Sequence, residues 1–180
     1  MGNLHDSLQA VFDSQVIQRW AANSSKLPSL QYRIDVVTAS GPYPADPHLR
    51  ERVRRFRAQR AAWEAYLDAA FACGMFSGDE GESLRARLTG TDESNFRAAM
   101  AECMACWYLA GKFGFNVAPN PPGRNNCVLD FHVQTSTEEL VAEVKAPNRD
   151  RPEDGWWADD TCGMNAELYR PCKAVCGGDT

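Results

Sequence analysis

The stretch CVLDFHVQTSTEELVAEVKA, residues 127–146, decides the fold of the second half of this chain. Apolar and polar residues alternate along 127–134 and again along 139–146, a pattern typical of two half-buried β-strands. We expect a hairpin whose turn is centred between Ser136 and Thr137. One face of that hairpin is then apolar throughout: Leu129, Phe131, Val133, Leu140, Ala142 and Val144.

The same register sets Asp130 directly opposite Glu143 on the other face of the hairpin. Opposed residues have Cβ atoms about 5 Å apart, and two carboxylates at that distance need a proton or a cation between them. Mg²⁺ fits because it prefers oxygen ligands, and Mn²⁺ can substitute for it. Lys145 lies two residues beyond Glu143, where its ammonium can orient a water molecule or stabilise developing negative charge. The alternative is a solvated sheet face on which both acids are merely exposed.

A third carboxylate lies on the helix predicted over 93–112. Glu102 is the only charged residue between Ala98 and Ala110. A helix that is apolar nearly all round is buried, and a buried carboxylate needs a partner. The candidates are a metal ion, Lys145 or an arginine elsewhere in the chain.

These residues resemble the signature of the PD-(D/E)XK nuclease superfamily. That signature is an Asp on one strand and Glu-x-Lys on the next, often with a Glu on the preceding helix. The matching residues are Asp130, Glu143-Val144-Lys145 and Glu102, within about 93–147.

The resemblance implies a restriction-endonuclease-like αβββα core that hydrolyses phosphodiester bonds, with DNA as the expected partner. Asp130 and Glu143 would bind Mg²⁺ together with the backbone carbonyl of Val144. Lys145 would position the attacking water, and Glu102 would bind metal or orient a ligand.

Two features depart from the family pattern. Leu129 stands where the family name has Pro, and no apolar β run follows Tyr169. The chain would then be a truncated or frameshifted version of a longer protein, or its last strand is missing or supplied by a partner, including a second copy. A second hypothesis follows: a nuclease-like domain that has lost activity and binds nucleic acid or protein. A third is an unrelated structural α/β domain.

The resemblance does not cover residues 1–90, which predict a mostly helical region before a nuclease-like core over 91–180. We expect helices over 3–20 and 48–73, a short strand or an extended arm over 32–37, and a last helix over 161–169. Along the helix over 48–73, three arginines share one face: Arg50, Arg54 and Arg57. That spacing suits contacts with DNA phosphates, or simply a solvated helix face.

Composition sets limits on the class of protein. A net charge of −5 argues against broad coating of nucleic acid, and 44% hydrophobic residues allow a globular core. No apolar run approaches the roughly 20 residues of a membrane span. The seven cysteines follow no disulfide framework, so we expect a protein of the reducing cytoplasm without a membrane partner. A zinc site at 162–176 would have three cysteines and would need His132, whereas Cys103 and Cys106 are expected to pack in the core.

Overall fold

The helices of the structure, a computed structural model, precede its sheet along the chain. The structure describes residues 7–119, 130–145 and 165–169. For Lys145 and for residues 165–169 it describes the backbone alone. The helices in this part are α1 (Ser7–Val11), α2 (Ser14–Asn23), α3 (Pro28–Val37), α4 (Pro47–Ala72), α5 (Gly78–Thr89) and α6 (Glu93–Cys106), which a π-helical turn (Trp107–Lys112) extends. The strands are β1 (Asn116–Pro119), β2 (Phe131–Gln134), β3 (Glu139–Lys145) and β4 (Asn165–Tyr169). The protein is therefore mixed α/β and mostly helical.

Local capping explains where the N-terminal helices begin. The Asp13 carboxylate accepts hydrogen bonds from the backbone N–H groups of Gln15 and Val16, which starts α2 and divides the helix predicted over 3–20. Pro28 occupies the first turn of α3, where its missing N–H leaves no bond unmade. The strand or arm predicted over 32–37 is therefore wrong. The long helix α4 and the helix that ends at Lys112 are confirmed.

The strands form one antiparallel sheet in the order β1-β2-β3-β4. The predicted register of β2 and β3 is confirmed, since Phe131 pairs with Ala142 and Val133 pairs with Leu140. Phe131, Val133 and Ala142 are fully buried, and Leu140 packs against the same core. The apolar face is thus as predicted, except that Leu129 lies outside the described residues.

Strand β4 replaces the helix predicted over 161–169, which is wrong from 165 to 169. Leu168 pairs with Ala142 and Ala166 pairs with Val144, so β4 covers the edge of β3 within the chain itself. Apolar residues two apart in the string NAELY suit a strand that continues the apolar rows of β3. The last helix of the expected αβββα order does not lie at 165–169.

One hydrophobic core joins the helices to the sheet, and α6 runs through it in contact with α4, α5 and β3. The Phe96 ring lies 5.4 Å from the ring of Trp63, 6.3 Å from that of Trp20 and 6.4 Å from that of Phe12. Cys103 and Cys106 are completely buried, as predicted. Among the described helices, none combines the length and the apolar character needed to cross a bilayer.

A buried arginine fixes the turn between α5 and α6. The Arg33 side chain is 0% exposed, and it donates from Nη1 to the Gly90 carbonyl at 3.0 Å and from Nη2 to Oε2 of Glu93 at 2.5 Å. Its guanidinium carbon lies 3.8 Å from the centroid of the Phe96 ring. The indole N–H of Trp20 donates to the same Gly90 carbonyl at 3.2 Å. Because Gly90 ends α5 and Glu93 begins α6, these bonds hold the two helices at a fixed angle.

Candidate functional site

Three elements bring the predicted acidic residues near one another. Glu102 lies on α6, Asp130 directly precedes β2, and Glu143 lies within β3, against which α6 packs. Burial raises the pKa of Asp130, and the negative charges of Glu102 and Glu143 raise it further. A hydrogen bond from the Val144 backbone lowers this pKa. Asp130 therefore interacts electrostatically with the carboxylates of both Glu102 and Glu143.

Asp130 is fastened to the neighbouring strand. This residue is partly buried, and its Oδ2 accepts a hydrogen bond from the backbone N–H of Val144 at 2.5 Å. The β2–β3 ladder begins with the pair Phe131–Ala142, so Asp130 is the residue directly before the ladder and is not itself one of its paired residues. The bond fixes the Asp130 carboxylate at the end of β3 that carries Val144 and Lys145.

The partner of Glu102 is an arginine on the preceding helix. Arg87 donates from Nη1 to Oε1 of Glu102 at 2.5 Å and from Nη2 to Oε2 at 2.8 Å. The Glu102 side chain is 16% exposed and that of Arg87 is 31% exposed. The hydrogen bonds with Glu102 raise the pKa of Arg87, which stays charged. Of the three partners predicted for Glu102, the structure contains the arginine.

Glu143 and Lys145 occupy register positions on β3. Glu143 is partly buried, and its Cα pairs with that of Glu167 on β4. Val144 follows Glu143 along β3 and is also partly buried. Its backbone carbonyl is a predicted metal ligand. Lys145 is the last residue of β3 and pairs with Asn165, but its side chain is outside the described part.

The carboxylates of Glu102, Asp130 and Glu143 are the type of ligand that a hard divalent ion prefers. Their oxygens are not, however, arranged around one point as metal ligands would be. Carboxylate oxygens are the ligands that Mg²⁺ prefers, and the carboxylates of Glu102 and Asp130 both lie near the guanidinium of Arg87. Within residues 7–119, 130–145 and 165–169, however, no cluster of three acidic, histidine or cysteine side chains is close enough to hold a metal. Glu102 is paired with Arg87, and Asp130 is bonded to the backbone of β3.

The three arginines predicted to contact DNA each interact with the protein itself. Arg50 donates to two backbone carbonyls in the loop before α4, both at 3.3 Å. Arg54 pairs with Glu51 at 2.9 Å, and the Arg57 guanidinium lies 4.1 Å from the centroid of the Tyr43 ring. They line one side of α4 but are not a row of unengaged cations.

The predicted zinc alternative falls mostly outside the described part of the chain. Cys162, Cys172 and Cys176 all lie there. His132 is partly buried on β2, with its Nε2 3.8 Å from a carboxylate oxygen of Glu139.

Two residues near the site were not singled out in the sequence. Arg87 lies fifteen residues before Glu102, and the only signal for it was the need of a buried carboxylate for a cation. Glu167 was placed in a helix, because the string NAELY is by itself compatible with a helix or a strand, and only its pairing with β3 sets Glu167 level with Glu143.

Comparison of the chain with protein-family models, with curated proteins and with solved structures gave no match. The family resemblance therefore depends on the quoted residues and their arrangement alone.

Proposed function

We propose that this chain is a metal-dependent nuclease that hydrolyses phosphodiester bonds, with DNA as its substrate. The observation that carries the proposal is the hydrogen bond from the Val144 N–H to the Asp130 carboxylate, because it holds Asp130 beside the strand that carries Glu143 and packs against α6. In this proposal α6, β1, β2 and β3 correspond to the helix and three strands of a restriction-endonuclease-like core. The partial burial of Asp130 near the negative charges of Glu102 and Glu143 supports the proposal, because carboxylates whose pKa is raised in this way are common at functional sites.

Each residue has a distinct role in the proposed mechanism. Asp130 and Glu143 would hold Mg²⁺ or Mn²⁺ with the carbonyl of Val144, and the bound ion supplies polarisation of the phosphate. The Val144 N–H orients the Asp130 carboxylate through a 2.5 Å hydrogen bond. Lys145 would hold the attacking water through its ammonium. Glu102 would act through its pairing with Arg87 or as a further ligand.

A plasmid cleavage assay tests the proposal. The full chain is incubated with supercoiled plasmid in millimolar MgCl₂ or in EDTA, beside Asp130→Asn and Lys145→Met. We expect cleavage only with Mg²⁺ and a loss of roughly 100-fold or more in both variants. Glu138→Gln is the matched control, because Glu138 is exposed in the turn of the same hairpin. Equal cleavage by wild type and Asp130→Asn would reject the assignment and indicate a contaminating nuclease.

A second candidate function is an inactive nuclease-like domain that binds nucleic acid or protein. The specific observation in its favour is that Arg87 engages both oxygens of Glu102. Fluorescence anisotropy with labelled duplex DNA separates the two functions. Binding without cleavage, unchanged by EDTA and by Asp130→Asn, favours the binding module.

A further inference from the structure

The ion pair between Arg87 and Glu102 is a built feature rather than a chance surface contact. Two parallel N–H···O bonds, at 2.5 and 2.8 Å, match the planar fork of guanidinium to the planar carboxylate. Both side chains are mostly shielded from water. The helices that carry them are held together by the bonds of Arg33 to Gly90 and Glu93.

The guanidinium of this pair also acts on a second carboxylate of the candidate site. The negative charges of Glu102 and Glu143 act on Asp130, and the Arg87 guanidinium acts on both Glu102 and Asp130. A divalent ion placed among these carboxylates would lie beside the guanidinium, since Arg87 already touches both oxygens of Glu102. Repulsion between two cations on one carboxylate is strong where water is largely excluded.

We infer that Arg87 and a divalent cation are alternative counter-ions of Glu102, so that metal binding requires this ion pair to open. The inference rests on the proposed function, because it assumes a metal centre at Asp130 and Glu143. Arg87 balances the acidic residues in the metal-free protein, and it weakens metal binding by the free energy needed to release Glu102. Arg87 is then a residue that sets metal affinity, distinct from any ligand.

Calorimetric titration with MnCl₂ tests the inference on wild type, Arg87→Gln, Arg87→Lys and Asp130→Asn. We expect Arg87→Gln to bind Mn²⁺ more tightly by roughly five- to tenfold, or about 1–1.4 kcal/mol. Arg87→Lys keeps the charge but loses the fork, so its affinity should fall between the two. Arg85→Gln is the matched control: Arg85 lies on the same helix, but it donates to the Ala10 carbonyl and lies over the Phe76 ring.

Thermal unfolding provides a second readout. Without metal, Arg87→Gln should unfold at a lower temperature than wild type, because Glu102 loses its partner. Saturating Mn²⁺ should raise its unfolding temperature by more than it raises that of wild type. Near-ultraviolet circular dichroism shows whether each variant is folded. If Arg87→Gln does not fold, the comparison of Arg87→Lys with wild type still decides the test.

The possible outcomes separate this inference from the proposed function. If wild type binds Mn²⁺ through Asp130 while both Arg87 variants bind equally or more weakly, the inference is wrong and the metal centre stands. If neither wild type nor an Arg87 variant takes up Mn²⁺ through Asp130, both are wrong. Uptake by Arg87→Gln alone supports the inference, because the ion pair then excludes metal from the wild type.

Discussion

Replacement of Arg33 by methionine is expected to destabilise the protein by an amount that follows from its contacts. Methionine fills much of the same space without charge. The substitution removes hydrogen bonds to the Gly90 carbonyl and to Glu93, each contributing about 1.5–3 kcal/mol, and a cation–π contact with Phe96 of about 1–2 kcal/mol.

Three features reduce this loss in the free energy of unfolding. A buried cation no longer has to be desolvated, which recovers several kcal/mol. The Arg33 Nε, which has no hydrogen-bond partner among the described residues, is removed. Glu93 is 25% exposed and keeps its bond from Arg97 at 2.8 Å, so it is not left unpaired. We therefore expect a net loss of about 2–3 kcal/mol, below the roughly 3–5 kcal/mol for breaking an isolated buried pair.

Urea unfolding followed by tryptophan fluorescence measures this loss. The unfolding temperature should fall by about 5–10 °C for a domain of this size. Arg52→Met is the control, with an expected loss of under about 1 kcal/mol, because Arg52 is 62% exposed where it pairs with Asp35 and the bonds of Arg33 remain. An Arg33→Met protein as stable as wild type would refute the reasoning, because desolvation would then cancel every contact of Arg33.

Three further predictions concern the site, the sheet and alkaline pH. Asp130→Asn should stabilise the metal-free protein by about 0.5–1 kcal/mol in urea unfolding, because it removes a charge near Glu102 and Glu143 yet still accepts the Val144 N–H; destabilisation would contradict this. Phe131→Ala should lower the free energy of unfolding by about 3–5 kcal/mol, since Phe131 is fully buried, and a loss under 1 kcal/mol would mean that the sheet does not pack on this core. Burial raises the pKa of Tyr32 from 10.0 to about 12, so the contribution of its neutral phenol to stability is fully present below pH 10 and is lost as pH rises to 12; because solvent screens this half-buried group, we expect a loss of about 1 kcal/mol more than in Tyr32→Phe, and parallel pH profiles for the two proteins would contradict it.

The hairpin could be predicted from sequence because its information is local. Alternation fixes which residues of β2 and β3 face the core, and a short turn leaves one register that keeps Phe131 opposite Ala142. The burial of α6 was likewise visible in its nearly uncharged run of residues. What that run could not reveal was which cation pairs with Glu102, because the choice of Arg87 depends on how α5 packs on α6.

The two wrong secondary-structure predictions, at 32–37 and 165–169, lie where contacts between residues distant in sequence determine the structure. Ile34, Val36 and Val37 have β-branched side chains that favour a strand, but Pro28 starts a helix there and Arg33 is drawn into the core. The segment 165–169 reads as helix or strand in isolation. It becomes a strand because β3 offers an unpaired edge, which no pattern within 165–169 encodes.

The packing of Phe96 has a consequence for how this protein can be divided. The nuclease-resembling part begins near residue 91, yet the aromatic rings that cover Phe96 come from Phe12, Trp20 and Trp63. A fragment cut at that point would expose the apolar side of α6 to water and free the end of the helix that Arg33 holds. Residues 7–90 therefore contribute side chains that cover α6, and we expect a fragment of residues 91–180 to aggregate rather than to fold on its own.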